Sequence, residues 1–483
     1  MTNLSDLFPA GAGKQVSFVA DGSISAAGKP VLLTAAGKAA PIVGTAEIIG
    51  SDGEFEPGYV GYTAATFDSN SNKVVVGYQN ASSEGVAAVG TVSGTSISFG
   101  TPVVFETPGA MNYLAATFDS VENKVVFSFQ DSGNSSYGTA IVGTVSGTSI
   151  SFGTPVVFNS ATTKFNTSSY DANAQKVLLS YHGTSSYGYS IVGTVSGTSI
   201  SFGSEAAFNS AYTSNPSSVY DSNAQKVVIG YGNSGSSGAG TAIVATISGT
   251  SVSFGTPTEF QPGGSNNYIS LAFDSANNKI ATIYQDTTST NYGHGIVGTV
   301  SGTGISFGTS VVFNAAATTF ISASYDVGAG AILVFYRPDT STYYGEIDTA
   351  TISGTSISFG TEATVASAVT DFLSITYDSS NEKVVVCYKN DSSSTGVANV
   401  VQVGSTNLTA AGLLGISDAA ISDTASGNIT VKGGIAVNGL TSLTIGSDYY
   451  VQADGSISTV TTSPAVKLGR ALSATSIDLE YQS

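Results

Sequence analysis

The chain has 483 residues, with 15 Lys+Arg against 33 Asp+Glu and a formal net charge of −18. So acidic a chain has no electrostatic footprint for a nucleic-acid backbone or an anionic bilayer, which excludes both as main partners. Only 10% of residues are charged, 41% are hydrophobic and 57 are Gly; this is too apolar for disorder, too poor in Lys, Glu and Arg for long surface helices, and suited to short strands joined by tight turns.

The N-terminus, Met1-Thr2-Asn3-Leu4-Ser5-Asp6, has neither a basic n-region nor an apolar h-region, and no run of 18 apolar residues follows. Cytoplasmic synthesis without membrane insertion is the expectation. Residues 1–40 read as the first part of a small β domain. Pro41 to Ile49 matches the fourth strand of the repeats that come next.

From there an aromatic-Asp pair recurs at Phe67-Asp68, Phe118-Asp119, Tyr170-Asp171, Tyr220-Asp221, Phe273-Asp274, Tyr325-Asp326 and Tyr377-Asp378. Steps between the Asp residues are 51, 52, 50, 53, 52 and 52, and another aromatic follows each Asp by ten residues (Tyr78, Phe129, Tyr181, Tyr231, Tyr284, Tyr336, Tyr388). Each unit reads as four strands. The first ends at the aromatic-Asp pair, a polar turn follows, and the second resembles Lys73 to Tyr78. The third resembles Ala140 to Val145, a Ser-Gly-Thr hairpin turn uses the positive φ of Gly, and the fourth resembles Ile150 to Phe158. Four strands in a repeat of about 40–50 residues is the signature of a propeller blade. The last unit lacks a fourth strand after Val397 to Val403, so Pro41 to Ile49 would complete it and close the ring, removing two exposed sheet edges. The expected fold is all-β: a seven-bladed β-propeller over residues 41–404, inserted into a small β base domain made from 1–40 and 405–483.

The two flanks echo each other: Ala20 to Ser25 recurs as Ala453 to Ser458, and Leu33 to Gly37 as Leu408 to Gly412. In the second flank, Ile429 to Ile435, Tyr449 to Ala453 and Thr475 to Tyr481 read as strands, Asp454-Gly455 as a hairpin turn, and Gly412 to Ser422 as one short helix. Both chain ends should leave the propeller on the face of the first–second and third–fourth turns, so the base is expected to hold that uniform face. The opposite face carries loops that vary, such as Gln130 to Tyr137, His182 to Tyr187, Gln285 to Tyr292 and Arg337 to Tyr344. These are rich in Tyr, Ser, Asn, Gly and Thr, where Tyr supplies contact area at low entropic cost. Tyr113, Tyr137, Tyr187, Tyr268, Tyr292, Tyr343 and Tyr344 are the candidate contact residues.

No catalytic, cofactor or metal constellation stands out. Each repeated Asp is read as capping its own turn, balanced in six units by Lys73, Lys124, Lys176, Lys226, Lys279 or Lys383. No calcium-loop pattern occurs, and His182 and His294 stand on non-adjacent units. Cys387, the only cysteine, lies in an apolar run and reads as a small buried hydrophobe. A carboxylate pair in the channel could hydrolyse a sugar, but nothing singles one out.

The flanks carry a resemblance. Gly13 to Gly22 followed by Gly28 to Leu33 resembles the N-terminal region of structural proteins of tailed bacteriophages, marine and cyanobacterial ones especially. Leu443 to Gly455 with Gly469 to Thr475 is similar to the endings of their tail-fibre-like proteins. The resemblance implies a non-enzymatic protein on the virion surface, docked through its base to other virion proteins. Its loop face would then contact a host cell-surface glycan or protein. A capsid decoration protein is the alternative and a glycan-cleaving enzyme a more distant one. A homo-oligomer is compatible with the sequence, although no coiled-coil heptads specify one.

Overall fold

A computed structural model describes residues 14–480 apart from 46, 108, 265, 410, 453–454 and 460–464. The chain divides into two compact units, Ile49–Gln402 and the paired flanks Met1–Ile48 with Val403–Ser483.

In the first of these, the runs of β-branched and aromatic residues form antiparallel sheets with one plan. Met111–Asp119, Lys124–Asp131 and Tyr137–Ser146 pair in succession. The fourth strand is broken: Ser149–Phe152 pairs with the end of the third strand and Val156–Thr162 with its beginning. The same plan starts again at Gly61–Asp68, Lys164–Asp171, Thr213–Asp221 and Asn266–Asp274. Val311–Asp326 and Ala363–Asp378 each begin as the outer strand of one sheet and end as the first strand of the next. First strands lie side by side, and Gly61–Asp68 lies against Ala363–Asp378, where the Ala65 amide donates to Ser374 Oγ at 2.8 Å.

The break in the fourth strand explains two motifs. A Cβ on Gly153 would sit 1.8 Å from the carbonyl oxygen of Thr198, the Thr of the next Ser-Gly-Thr turn. Gly100, Gly203, Gly255 and Gly308 back in the same way onto Thr148, Thr250, Thr303 and Thr355. Only a residue without a side chain permits that approach. Gly360 is spared it, because the last repeat has no such hairpin.

The last sheet requires a correction. Its outer pieces are Ile48–Ile49 and Gly53–Glu56, both beside Thr395–Gln402, and not Pro41 to Ile49. Gly50 and Phe55 keep the Gly-to-Phe spacing of Gly153 and Phe158, with Gly50 against the Thr95 carbonyl and Phe55 over Gly396. Ile42-Val43-Gly44-Thr45 copies the wording of a third strand, Ile141-Val142-Gly143-Thr144, which misplaced the match. Ala39–Pro41 and Gly44–Thr45 pair instead within the flanking unit.

Each repeated Asp is buried and caps its turn. Asp68 Oδ1 accepts the amides of Asn70 and Ser71 at 2.9 and 3.0 Å, and Asp171 Oδ1 those of Asn173 and Ala174, both at 2.9 Å. Each of the six lysines stands directly across from its Asp in the strand register, as Lys73 does from Asp68, but no ion pair among the described residues joins one of them to its Asp. The register sets Gln402 level with Lys383 and Asp378, and the Gly50 amide donates to the Val400 carbonyl at 2.8 Å. Both ends of this unit therefore leave on the edge that carries the Asp turns.

The flanking unit holds two five-stranded antiparallel sheets. One has the order Gln15–Val19, Ser426–Val431, Leu413–Ser417, Pro30–Leu33, Ala39–Pro41; the other is Ile435–Ala436, Ser476–Leu479, Ala465–Ser473, Asp448–Gln452, Ile457–Ser458. The helix expected within Gly412 to Ser422 is a strand: Leu413–Ser417 is buried along its whole length as the central strand, and a short run buried on both faces has no helical or alternating period to read. Strand Asp448–Gln452 pairs with Ile457–Ser458. Ala453 and Asp454 of the expected hairpin turn, Tyr481 of the last expected strand, Ala410 of the flank echo and residues Met1 to Gly13 lie outside the described residues.

Candidate functional site

Every first strand carries a one-residue bulge near its start. The register shifts between Gly61 and Ala64, Asn112 and Ala115, Lys164 and Thr167, Ser214 and Ser217, and at the same place in the remaining repeats. The bulge residue is six positions before the Asp: Tyr62, Tyr113, Phe165, Asn215, Tyr268, Phe320 or Phe372, with φ between 44° and 52°. A non-glycine residue in that left-handed region costs about 1 kcal/mol or more, so one position here repeatedly holds strain. Its effect is to aim a side chain at the axis. Neighbouring rings pack tilted against one another: Tyr62–Tyr113 5.6 Å, Tyr113–Phe165 4.9 Å, Tyr268–Phe320 5.5 Å, Phe320–Phe372 5.9 Å and Phe372–Tyr62 5.2 Å between centroids. Asn215 interrupts this collar, and its Nδ2 donates to Asn267 Oδ1 at 3.3 Å.

The collar surrounds a cavity of about 240 Å³ whose lining contains no charged residue. Below it a second space is lined by small side chains, among them Thr167, Ser217, Ser270 and Ser374. Several of these hydroxyls accept a backbone amide of a neighbouring first strand, Ser217 Oγ from Leu271 at 3.1 Å and Ser270 Oγ from Ala323 at 2.9 Å. Burial holds the hydroxyl pKa of Tyr62, Tyr113 and Tyr268 above the usual phenol range, with neighbouring tyrosines adding to it at Tyr62 and Tyr113, so all three remain protonated donors.

A second fixed position, eleven after the Asp, anchors the collar in five of the seven repeats; the other two have Gly232 and Lys389 there, the lysine pairing with Asp391. Gln79 Nε2 donates to the Met111 carbonyl, Gln130 to Thr163 and Gln285 to Thr318, each at 2.7 Å. Each acceptor lies two residues before a collar residue of the next repeat. His182 Nδ1 meets the Thr213 carbonyl at 2.7 Å, which makes Nδ1 the protonated nitrogen, and burial lowers the ring's pKa. Arg337 fills the position once: it donates to the Thr370 carbonyl at 3.2 Å, pairs with Asp371 and lies 4.6 Å over the Phe320 ring. Gln130, His182, Gln285 and Arg337 therefore end second strands as buried or partly buried latches rather than opening free loops.

Of the seven tyrosines expected from sequence, Tyr113 and Tyr268 belong to the collar. Tyr137, Tyr292 and Tyr344 open third strands, and Tyr187 stands at the matching position before Gly188. They are on the same edge but two strand spacings, about 10 Å, farther from the axis. Tyr343 is 39% exposed and faces Arg337 at 5.5 Å. The structure thus gathers two of the seven into one site. Sequence reading missed Tyr62, Phe165, Asn215, Phe320 and Phe372, although the constant six-residue offset was there to find.

Other titratable groups are occupied or scattered. His294 sits between Ser289 Oγ and Ser310 Oγ, each at 2.9 Å, and no group of three potential metal ligands occurs among the described residues. Burial pushes the Cys387 thiol far up, as for an inert packed side chain. Glu106, on the loop-bearing edge, has its carboxyl pushed up to about 7 by burial and by nearby Asp131.

No known family and no curated protein matches the chain. Among solved structures, a lectin from Burkholderia pseudomallei aligns with a TM-score of 0.55 at 10% identity, over 73% of this chain and 99% of that one. A protein of unknown function from Dyadobacter fermentans aligns at 0.45 and 8% identity, over 74% and 98%; the protein AofleA from Arthrobotrys oligospora aligns at 0.40 and 12%, over 72% and 97%. The likeness to the Burkholderia lectin is one of fold alone, and with the sheets above it makes this an all-β chain of four-stranded antiparallel sheets of the β-propeller type.

Proposed function

We propose that residues 48–402 form a seven-bladed propeller, its last blade completed by 48–56, that binds neutral carbohydrate on its loop-bearing edge without transforming it. The observation that carries this reading is the aromatic collar over an uncharged, hydroxyl-rich lining. A sugar offers one face of C–H groups to aromatic rings and a rim of hydroxyls to amides and hydroxyls, the two chemistries this mouth supplies. The fold likeness to a lectin supports the same reading. Most glycoside hydrolysis uses two carboxylates across the scissile bond, and the cavity lining offers none.

The setting follows from the resemblance of the flanks: a virion-surface protein of a tailed phage whose flanking unit docks to other virion proteins. Host recognition on a tail is preferred to head decoration, because a recognition surface is what the loop edge provides. Counting copies per purified particle separates them, with a handful expected and hundreds overturning the tail assignment. Glycan cleavage keeps one observation in its favour, the protonatable Glu106 beside Asp131. A glycan microarray probed with the labelled full chain tests binding, with neutral glycans expected to be retained. Oligosaccharide released from a bound glycan, and lost in Glu106→Gln, would replace recognition by cleavage.

A further inference from the structure

We infer that the axial mouth is a single saccharide subsite per chain, taking one terminal pyranose of a neutral glycan, with the collar rings against its C–H face and the carboxamides of Asn166 and Asn215 on its hydroxyls. This rests on the carbohydrate reading above and adds a place, a stoichiometry and an orientation.

The repeat itself singles out the two asparagines. At the collar position six units have Tyr or Phe and one has Asn215. At the next position Leu114, Pro216, Ile269, Ile321 and Leu373 are apolar, leaving Thr63 and Asn166 as exceptions. Thr63 is accounted for, since its hydroxyl donates to the Phe372 carbonyl. Asn166 is not: both Oδ1 and Nδ2 are buried at the cavity wall and neither has a hydrogen-bond partner. A buried polar group left unsatisfied destabilises a fold, and the repeat's own Leu or Ile would have avoided it.

Asn166 and Asn215 lie on adjacent first strands, Lys164–Asp171 and Thr213–Asp221, so the two departures from the repeat fall side by side. They give an otherwise aromatic mouth one polar side. A two-sided mouth matches a ring that is itself two-sided. The cavity of about 240 Å³ lies below the roughly 300 Å³ at which pockets for drug-sized ligands begin, which suits one sugar ring and not a bound chain.

The test titrates the full chain with methyl glycosides of glucose, galactose, mannose, fucose and N-acetylglucosamine, read by ligand-observed NMR and a stoichiometric competition. Two variants restore the repeat, Asn166→Leu and Asn215→Tyr. Asn166→Leu should raise Tm by about 1–2 °C while weakening the preferred glycoside at least ~10-fold. Asn215→Tyr should weaken it comparably, and the wild-type chain should bind one equivalent. Undiminished affinity in either folded variant, or several equivalents per chain, would overturn the axial site while leaving carbohydrate binding in place. If the folded wild-type chain binds neither these glycosides nor any arrayed glycan, both readings fall.

Discussion

Removing the carboxylate of Asp68 tests how the ring of turns is held. Asp68 is 2% exposed and its Oδ1 accepts two backbone amides, from Asn70 and Ser71. In Asp68→Ala both lose their acceptor; at about 1–3 kcal/mol for each partly buried unsatisfied group, a loss of about 3 kcal/mol is expected. Unfolding entropy near 2.1 cal/mol/K per residue over a unit of about 350 residues converts this to a fall in Tm of about 4 °C. Asp171 provides the internal comparison. There the Asn173 amide also meets Tyr220 Oη, at 3.2 Å, whereas the residue matching Tyr220 for the Asp68 turn is Phe118. Asp171→Ala should therefore cost about 1 kcal/mol less than Asp68→Ala, and adding Tyr220→Phe should erase the difference. The assay is scanning calorimetry of the full chain with and without a chelator. Equal losses at the two sites would remove the tyrosine from the account. A wild-type Tm lowered by chelator, with that effect absent in Asp68→Ala, would replace turn capping by cation binding.

Two further outcomes follow from named contacts. Gly153→Ala drives a Cβ into the Thr198 carbonyl and should cost about 3 kcal/mol, whereas Gly360→Ala, with nothing nearer than 3.3 Å, should cost under about 1 kcal/mol by the same calorimetry. Glu106 has a folded pKa raised from 4.5 to about 7, so the folded state holds the extra proton between those values. Its contribution to stability is therefore greatest below about pH 4.5 and falls as pH rises to 7. Glu106→Gln should raise stability by about 1 kcal/mol at pH 8, after allowance for solvent screening, and by nothing at pH 4; a Tm gain that is equal at both values refutes the assignment.

The repeat was legible because Asp68 and its counterparts are tied to local geometry. A turn cap, the aromatic ten residues later and a Ser-Gly-Thr hairpin each recur at fixed spacing. What stayed hidden depends on neighbours rather than on local pattern. Tyr62, Phe165 and Asn215 differ in chemistry and become equivalent only when the bulges turn them toward one axis. Gln130 and His182 look like loop residues until the next repeat's carbonyl is beside them. Leu413–Ser417 gave no period because both of its faces are covered, and Ile42 to Thr45 borrowed the wording of a third strand while pairing within the flanking unit.

Hydrogen exchange of the full chain, with and without the best-retained arrayed glycan, tests most directly that recognition belongs to the edge away from the Asp turns. Slowed exchange is predicted around the starts of the first strands, near 111–114, 163–166 and 213–216, with the Asp turns unchanged. Protection confined to the Asp and Ser-Gly-Thr turns, where the chain ends leave this unit, would contradict it.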